Sequence, residues 1–232
     1  MDAPRAPRLK VCCIGSIAEM RLAVRYGADA VGLVGAMPSG PGVIPDERIA
    51  EIARAVPPPV MSVLLTSATD ADTIARQVDA AGVSAVQLVD RASPAVWARL
   101  RVEIPGRALW QVVHVTGPES VAEAEAVARH VDVVLLDSGN PDAATKTLGG
   151  TGTAHDWAVS RAIRERLDVP VFLAGGLRPD NVPRAVAEVG PFGLDVCSGL
   201  RTGGALNARK LAAFARAMGD GAAGPHAAFS AP

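Results

Sequence analysis

The chain has 232 residues, of which 49% are hydrophobic and 20% are charged, and this composition excludes a disordered protein. Its 23 basic and 24 acidic side chains give a formal net charge of −1, which argues against a nucleic-acid-binding protein. No apolar segment reaches the roughly 18 residues that a membrane span needs, and the first ten residues lack the apolar stretch of a signal peptide. We therefore expect a cytoplasmic protein without a membrane or nucleic-acid partner.

The three cysteines and four histidines are too scattered for a disulfide framework or a zinc site. Cys12 and Cys13 are adjacent, whereas Cys197 lies near the other end of the chain. Neither a C-x-x-C motif nor a Cys/His spacing typical of zinc ligands occurs. The sequence therefore predicts reduced thiols and no metal site.

Short apolar segments alternate with amphipathic segments along most of the chain. The apolar segments are nearly continuous, which is typical of parallel strands buried on both faces, and the predicted strands are 9–14, 29–34, 60–66, 85–89, 108–115, 132–137, 169–174 and 193–197. Apolar spacings of three and four predict helices over 17–26, 46–55, 70–81, 94–102, 118–130, 156–167, 179–189 and 207–218. Residues 219–232 have no periodicity and predict a flexible C-terminal tail.

This strict alternation, at roughly 25 residues per unit, predicts an α/β protein with a single-domain (β/α)8 TIM barrel over residues 1–218. A doubly wound open sheet has the same repeat, but it usually contains fewer strands, and no G-x-G-x-x-G motif follows the first strand here. In a barrel, active sites lie at the carboxyl ends of the strands. The long loops at 35–45 and 138–155 are therefore expected on the catalytic face.

Two strand ends carry side chains suited to proton transfer. A thiolate at Cys12 could act as a base or nucleophile, although a buried core cysteine is the alternative. Period-two alternation predicts that Lys10, Cys12 and Ile14 share one face and that Cys13 faces the other way. Asp137 closes the apolar sixth strand, where burying a carboxylate without a task is costly. A helix cap or loop anchor is the alternative for this aspartate.

Glycine-containing clusters follow strands six, seven and eight and indicate a phosphate site. Gly149-Gly150 lies after strand six, Gly175-Gly176 closes strand seven, and Ser198-Gly199 closes strand eight. Glycine lets the backbone approach an oxyanion, and the loops after strands seven and eight are the usual phosphate site of this fold. A tight turn explains any one cluster equally well, but clusters at both of the expected strand ends favour phosphate binding.

Several short motifs occur in a characteristic order. They are KVCCI at 10–14, GADAVG at 27–32, VQL at 86–88, LLD at 135–137, GGTG at 149–152, DW at 156–157, LAGGL at 173–177, PDNV at 179–182 and LDVCSG at 194–199. In this order they resemble the phosphoribosylanthranilate isomerase family over nearly the whole chain except the tail. A set of ordered motifs is far more specific than any single glycine pair.

The resemblance implies an Amadori aldose–ketose isomerisation of an N-linked ribose 5-phosphate, of the tryptophan-biosynthesis type, that needs no cofactor or metal. Asp137 would be the general acid that opens the sugar ring, and Cys12 the general base that takes the proton from C2. Lys10 would be the cation that stabilises the Cys12 thiolate. The positions implied to bind substrate or phosphate are Lys10, Gln87, Gly149, Gly150, Gly175, Gly176, Asp195, Ser198 and Gly199.

Some positions depart from the family pattern. The segment SGPGV at 39–43 lacks the arginine that, in the family, pairs with the anthranilate carboxylate, and Cys13 replaces the glycine after the catalytic cysteine. An altered aglycone, another phosphosugar-barrel enzyme such as a lyase or epimerase, and a non-catalytic phosphosugar-binding protein therefore stay open, as do a monomer and a homodimer. Because strands one and eight are neighbours in a barrel, we expect Cys197 near Cys12 or Cys13.

Overall fold

The computed structural model describes residues 6–38, 40–139 and 156–222, and within them eight parallel strands close into a barrel. The strands are β1 (Arg8–Val11), β2 (Ala30–Val34), β3 (Met61–Thr66), β4 (Ala85–Leu88), β5 (Ala108–His114), β6 (Val133–Asp137), β7 (Val171–Leu173) and β8 (Gly193–Val196). The helices are α1 (Ile17–Arg25), α2 (Asp46–Ala55), α3 (Ala71–Ala81), α4 (Pro94–Glu103), α5 (Ser120–Ala128), α6 (Trp157–Arg166), α7 (Val182–Val189) and α8 (Ala208–Ala222). The predicted (β/α)8 barrel is confirmed.

The structure differs from the sequence prediction mainly at element ends. Strand β1 ends at Val11 rather than at 14, and α8 continues to Ala222, beyond the predicted end at 218. A short hairpin of β9 (Arg201–Thr202) and β10 (Ala205–Leu206) was not predicted. Its turn is Gly203-Gly204, where φ is 56° and 81°, which suits the two-residue turns that hairpins prefer.

Local capping explains where several helices begin and end. The Ser16 hydroxyl accepts a hydrogen bond from the Glu19 NH at 3.2 Å, and the Asp70 carboxylate accepts one from the Thr73 NH at 2.8 Å. These oxygens satisfy first-turn NH groups that have no partner within the helix. At the other end, α3 stops at Gly82, whose left-handed φ of 64° is unfavourable for residues with a side chain.

The strands separate two apolar layers. Leu9 and Val11 point outward and pack with the helices, whereas the alternate positions fill the barrel interior with side chains such as Val63, Trp110 and Phe172. This arrangement follows from burial of both faces of each strand. No helix among the described residues has the length and apolar character to cross a membrane.

Barrel closure brings the two ends of the chain together. Strand β1 pairs with β2 on one side and with β8 on the other, so that Lys10 lies beside Asp195. Beyond the last ladder pair, the Cys12 NH donates to the Val196 carbonyl at 2.9 Å. The first and last strands therefore contribute adjacent walls to the carboxyl end of the barrel.

Candidate active site

A cavity opens at the carboxyl ends of the strands, where TIM-barrel active sites lie. It brings together seven of the predicted site residues, which are Cys12, Gln87, Asp137, Gly175, Gly176, Asp195 and Ser198. Gly199 lies in an adjoining cavity, and Lys10 is buried within the barrel. Gly149 and Gly150 lie outside the described residues. Residues distant in sequence thus converge on one pocket.

Cys12 is held in the cavity wall by its neighbours on both sides. Its Sγ packs against Gly32 of β2, where an added Cβ would lie only 2.8 Å from the sulfur. A glycine is required here because any side chain would displace the thiol. On the other side, the Arg201 guanidinium donates to the Cys12 carbonyl at 3.4 Å and also to the Cys13 carbonyl. Both contacts fix the peptide that carries the thiol.

The prediction that Cys13 faces away from Cys12 was wrong. Cys13 has a φ of 61°, in the left-handed region, and the strand has already ended at Val11. Strict alternation therefore stops, Cys13 joins Cys12 in the interior cluster, and Ile14 packs outward. The Cys13 Sγ lies 2.6 Å from the Cys197 Sγ. The prediction that Cys197 lies near Cys12 or Cys13 is therefore confirmed.

Asp137 lies on the wall opposite Cys12. Strands β6 and β1 are three positions apart in the eight-strand ring, and both residues line the same cavity. The Asp137 Oδ1 accepts a hydrogen bond from the Ser138 NH at 2.7 Å, which orients the half-buried carboxyl group. A thiol and a carboxyl group on facing walls can act on two atoms of one ligand, as general acid–base catalysis requires.

Lys10 forms a buried ion pair with Asp195, which lines the cavity, and the Nζ–Oδ2 distance is 2.9 Å. Burial alone would lower the pKa of Lys10. The neighbouring Asp195 carboxylate, and to a lesser extent Cys12, more than offset this effect, so the pKa of Lys10 is raised. Lys10 therefore stays charged. Its side chain is completely buried, so it acts on the cavity through Asp195 and the neighbouring thiol.

Two acceptor atoms at the cavity have no partner within the described part of the chain. They are the Asp195 Oδ1 and the Gln87 Oε1, and both are fully buried. A buried polar atom without a hydrogen bond costs roughly 1–3 kcal/mol. A ligand with hydroxyl groups would satisfy both acceptors, so the floor of the cavity is suited to a sugar.

The adjoining cavity is lined by glycine backbone and by two basic side chains. It is lined by Gly176, Arg178, Pro179, Asp180, Ser198, Gly199 and Lys210. A Cβ on Gly199 would overlap the Leu177 carbonyl oxygen, so the loops after β7 and β8 can pack this closely only with glycine there. The sequence patterns did not predict a place for Lys210, in the first turn of α8, at this cavity. The only signal for it was its position shortly after the loop that follows β8. This combination suits a phosphate group.

The arginine that the family places after strand two has no substitute among the described lining residues. Arg201 is tied to Glu19 at 2.9 Å and is mostly buried. Arg178 pairs with Asp180 at 3.2 Å in the adjoining cavity. Among the described residues, the main cavity is lined by the acidic side chains of Asp137 and Asp195 and by no lysine or arginine.

Comparison with known proteins identifies the family. A family model described as N-(5'phosphoribosyl)anthranilate (PRA) isomerase matches residues 9–217. The N-(5'-phosphoribosyl)anthranilate isomerase of Haloarcula marismortui is 39% identical over 198 residues, which cover 85% of this chain and 88% of that protein.

Solved structures show the same relationship. The crystal structure of phosphoribosyl anthranilate isomerase from Thermotoga maritima has a TM-score of 0.77 at 27% identity and covers 92% of this chain and 98% of that one. A phosphoribosyl anthranilate isomerase in complex with reduced 1-(o-carboxyphenylamino)-1-deoxyribulose 5-phosphate has a TM-score of 0.74 at 25% identity, again covering 92% and 98%. The chain therefore belongs to the phosphoribosylanthranilate isomerase family.

Proposed function

We propose that Cys12 and Asp137 carry out the aldose–ketose isomerisation of this tryptophan-biosynthesis enzyme, with an N-linked ribose 5-phosphate as substrate. The observation that carries the proposal is the placement of a thiol and a carboxyl group on facing walls of one cavity. The adjoining glycine-rich cavity, with Arg178 and Lys210, supports a phosphorylated substrate. The related enzyme with a bound deoxyribulose 5-phosphate supports the same substrate class.

The chemistry needs two proton transfers. Asp137, as general acid, gives its proton to the ring oxygen, the bond from C1 to that oxygen breaks, and the nitrogen lone pair forms an iminium at C1. The Cys12 thiolate then takes the proton from C2, and the electron pair of that bond moves toward nitrogen to give an enolamine. Tautomerisation of the enolamine yields the aminoketone, so the redox change is internal to the substrate. Such transfers require groups within hydrogen-bond reach of the reacting atoms.

The remaining site residues hold the substrate in this proposal. The free oxygens of Asp195 and Gln87 accept hydrogen bonds from sugar hydroxyls. Lys10 is a positioning residue, because its ion pair fixes the Asp195 carboxylate. The phosphate binds the backbone NH groups of Gly175, Gly176, Ser198 and Gly199, and the role of Gly149 and Gly150 in phosphate binding stays a prediction.

A turnover assay with phosphoribosylanthranilate tests the function, alongside rescue of a tryptophan auxotroph. We expect measurable conversion to the aminoketone. If the purified protein binds sugar phosphates without converting them, the non-catalytic alternative replaces this proposal. Because the base must be a reduced thiol, we also propose that the protein acts in the reducing cytoplasm.

A charge placed at position 198 tests the phosphate site. Ser198→Asp puts a carboxylate beside Gly199, Arg178 and Lys210, where it would repel an incoming phosphate. We expect KM for the substrate to rise by about tenfold or more, which corresponds to roughly 1.4 kcal/mol.

Ser198→Ala is the matched control, because it keeps the backbone NH groups and adds no charge. Inorganic phosphate should compete weakly with substrate in the wild-type and Ser198→Ala proteins and not in Ser198→Asp. Equal KM values for both variants would place the phosphate elsewhere.

The missing arginine sets an expectation for substrate choice. A charge-assisted hydrogen bond to a carboxylate contributes about 1.5–3 kcal/mol to binding. Neither Pro41 nor Gly42 has a charged side chain that could form such a bond. We therefore expect kcat/KM for phosphoribosylanthranilate to be at least about tenfold below that of a family member with the arginine.

Pro41→Arg should raise this value, and the gain should vanish for an analogue whose aglycone lacks the carboxylate. Ordinary family efficiency in the wild-type protein would contradict the expectation. Steady-state kinetics of the wild-type and Pro41→Arg proteins with both substrates measures these values.

A further inference from the structure

Two thiols outside the proposed proton-transfer pair meet at the rim of the cavity. The sulfur atoms of Cys13 and Cys197 lie 2.6 Å apart although the residues are 184 positions apart in the chain. Both side chains line the cavity that contains Cys12. The contact arises because β1 and β8 pair side by side and the left-handed φ of Cys13 turns its side chain inward.

The two thiols differ in their surroundings. Cys197 is partly exposed, and its pKa is lowered by the hydrogen bond with Cys13 and then by the Arg201 guanidinium. Cys13 is buried, and hydrogen bonds with the Cys12 and Cys197 thiols, together with burial, raise its pKa. A lower pKa and greater exposure make Cys197 the more reactive thiol toward an oxidant.

We propose that Cys13 and Cys197 form a reversible disulfide with peroxide as the oxidant, and that this bond switches the enzyme off. The Cys197 thiolate attacks one peroxide oxygen, an S–O bond forms as the O–O bond breaks, and the released hydroxide is protonated to water. The Cys13 sulfur then attacks the Cys197 sulfur, an S–S bond forms as the S–O bond breaks, and the oxygen leaves as a second water with the Cys13 proton. Two thiols are oxidised by two electrons, and one peroxide is reduced.

The bond would act on the site through both segments that it joins. Cys13 follows the proposed base, and Cys197 precedes Ser198 in the proposed phosphate site. The Cys13 thiol also lies 3.6 Å from the Pro41 carbonyl oxygen, so it contacts the loop after β2. A misplacement of about 1 Å at a reacting group can lower the rate about 10²-fold. We therefore expect the linked form to lose at least about tenfold in kcat and to regain it with a thiol reductant.

Peptide mapping after equimolar hydrogen peroxide tests the link without any activity measurement. Trypsin should release peptide 11–21 joined to peptide 185–201, and dithiothreitol should separate them. Cys12→Ser should still give this link, which assigns the bond to Cys13. Cys13→Gly should not give it, and glycine suits the positive φ at that position.

Turnover measured on the same samples tests the switch. Peroxide should lower kcat reversibly in the wild-type protein, and the reversible component should be absent from Cys13→Gly and Cys197→Ser. Separate peptides after oxidation, or a bond to Cys12, would refute the disulfide. A fully linked protein with unchanged kcat would refute the switch. This inference uses the proposed function only for the turnover result, so absence of any isomerase activity leaves the mapping result decisive.

Discussion

Cys12→Ser and Asp137→Asn are each expected to lower kcat by about 10²-fold or more, the usual contribution of a general acid or base. Serine keeps the size of the side chain, but its hydroxyl is far less readily deprotonated than a thiol. Asparagine keeps the shape of Asp137, but its amide has no acidic proton to transfer to the ring oxygen. Steady-state kinetics with phosphoribosylanthranilate measures both effects, and thermal unfolding checks that each variant is folded.

Cys197→Ser provides a matched control, because it makes the same chemical change in the same cavity at a residue with no proposed proton transfer. We expect a far smaller change in kcat than for Cys12→Ser. Near-normal rates in both Cys12→Ser and Asp137→Asn would show the mechanism to be wrong. The two losses should also be far from additive in the double variant, because the acid and base act on one substrate in sequence.

Lys10→Met is expected to destabilise the fold by about 3–5 kcal/mol, because it leaves the Asp195 carboxylate buried without its partner. Lys10 is completely buried, and the pair is joined at 2.9 Å. Chemical denaturation of the wild-type and variant proteins measures the difference in free energy of unfolding. The companion double variant, Lys10→Met with Asp195→Leu, should recover most of the loss, because both members of the ion pair are then replaced by apolar side chains and neither charge is left buried without its partner. A cost below about 1 kcal/mol for Lys10→Met would contradict a buried, paired charge.

The pH dependence of this stabilisation follows from the direction in which the pKa of Lys10 is shifted. The folded-state pKa lies above the unfolded value, which is about 10.4 for lysine, and the Asp195 carboxylate is the group that raises it against the effect of burial. Protonated Lys10 therefore stabilises the folded state fully below about pH 10. The contribution is lost as the pH rises through the raised pKa. The difference in free energy of unfolding between the wild-type and Lys10→Met proteins should be constant from neutral pH to about pH 10 and should decrease above it.

The sequence by itself determined the fold and most of the candidate site. Continuous apolar strands and capped amphipathic helices recur in strict alternation, and this local pattern requires no knowledge of distant contacts. Because a barrel places all strand ends on one face, the positions of Cys12, Asp137 and Gly175-Gly176 in their strands were enough to place them around a common cavity.

Only the tertiary structure decided how the first and last strands meet. The direction of Cys13 depends on a left-handed backbone angle that alternation does not predict. The pairing of Lys10 with Asp195, 185 positions away, and the contact of Cys13 with Cys197 depend on the register in which β1 and β8 close the barrel. The same closure ties Arg201 to Glu19, so that it cannot replace the missing arginine. Local sequence patterns fix the elements, whereas register and long-range side-chain pairs arise only when those elements pack.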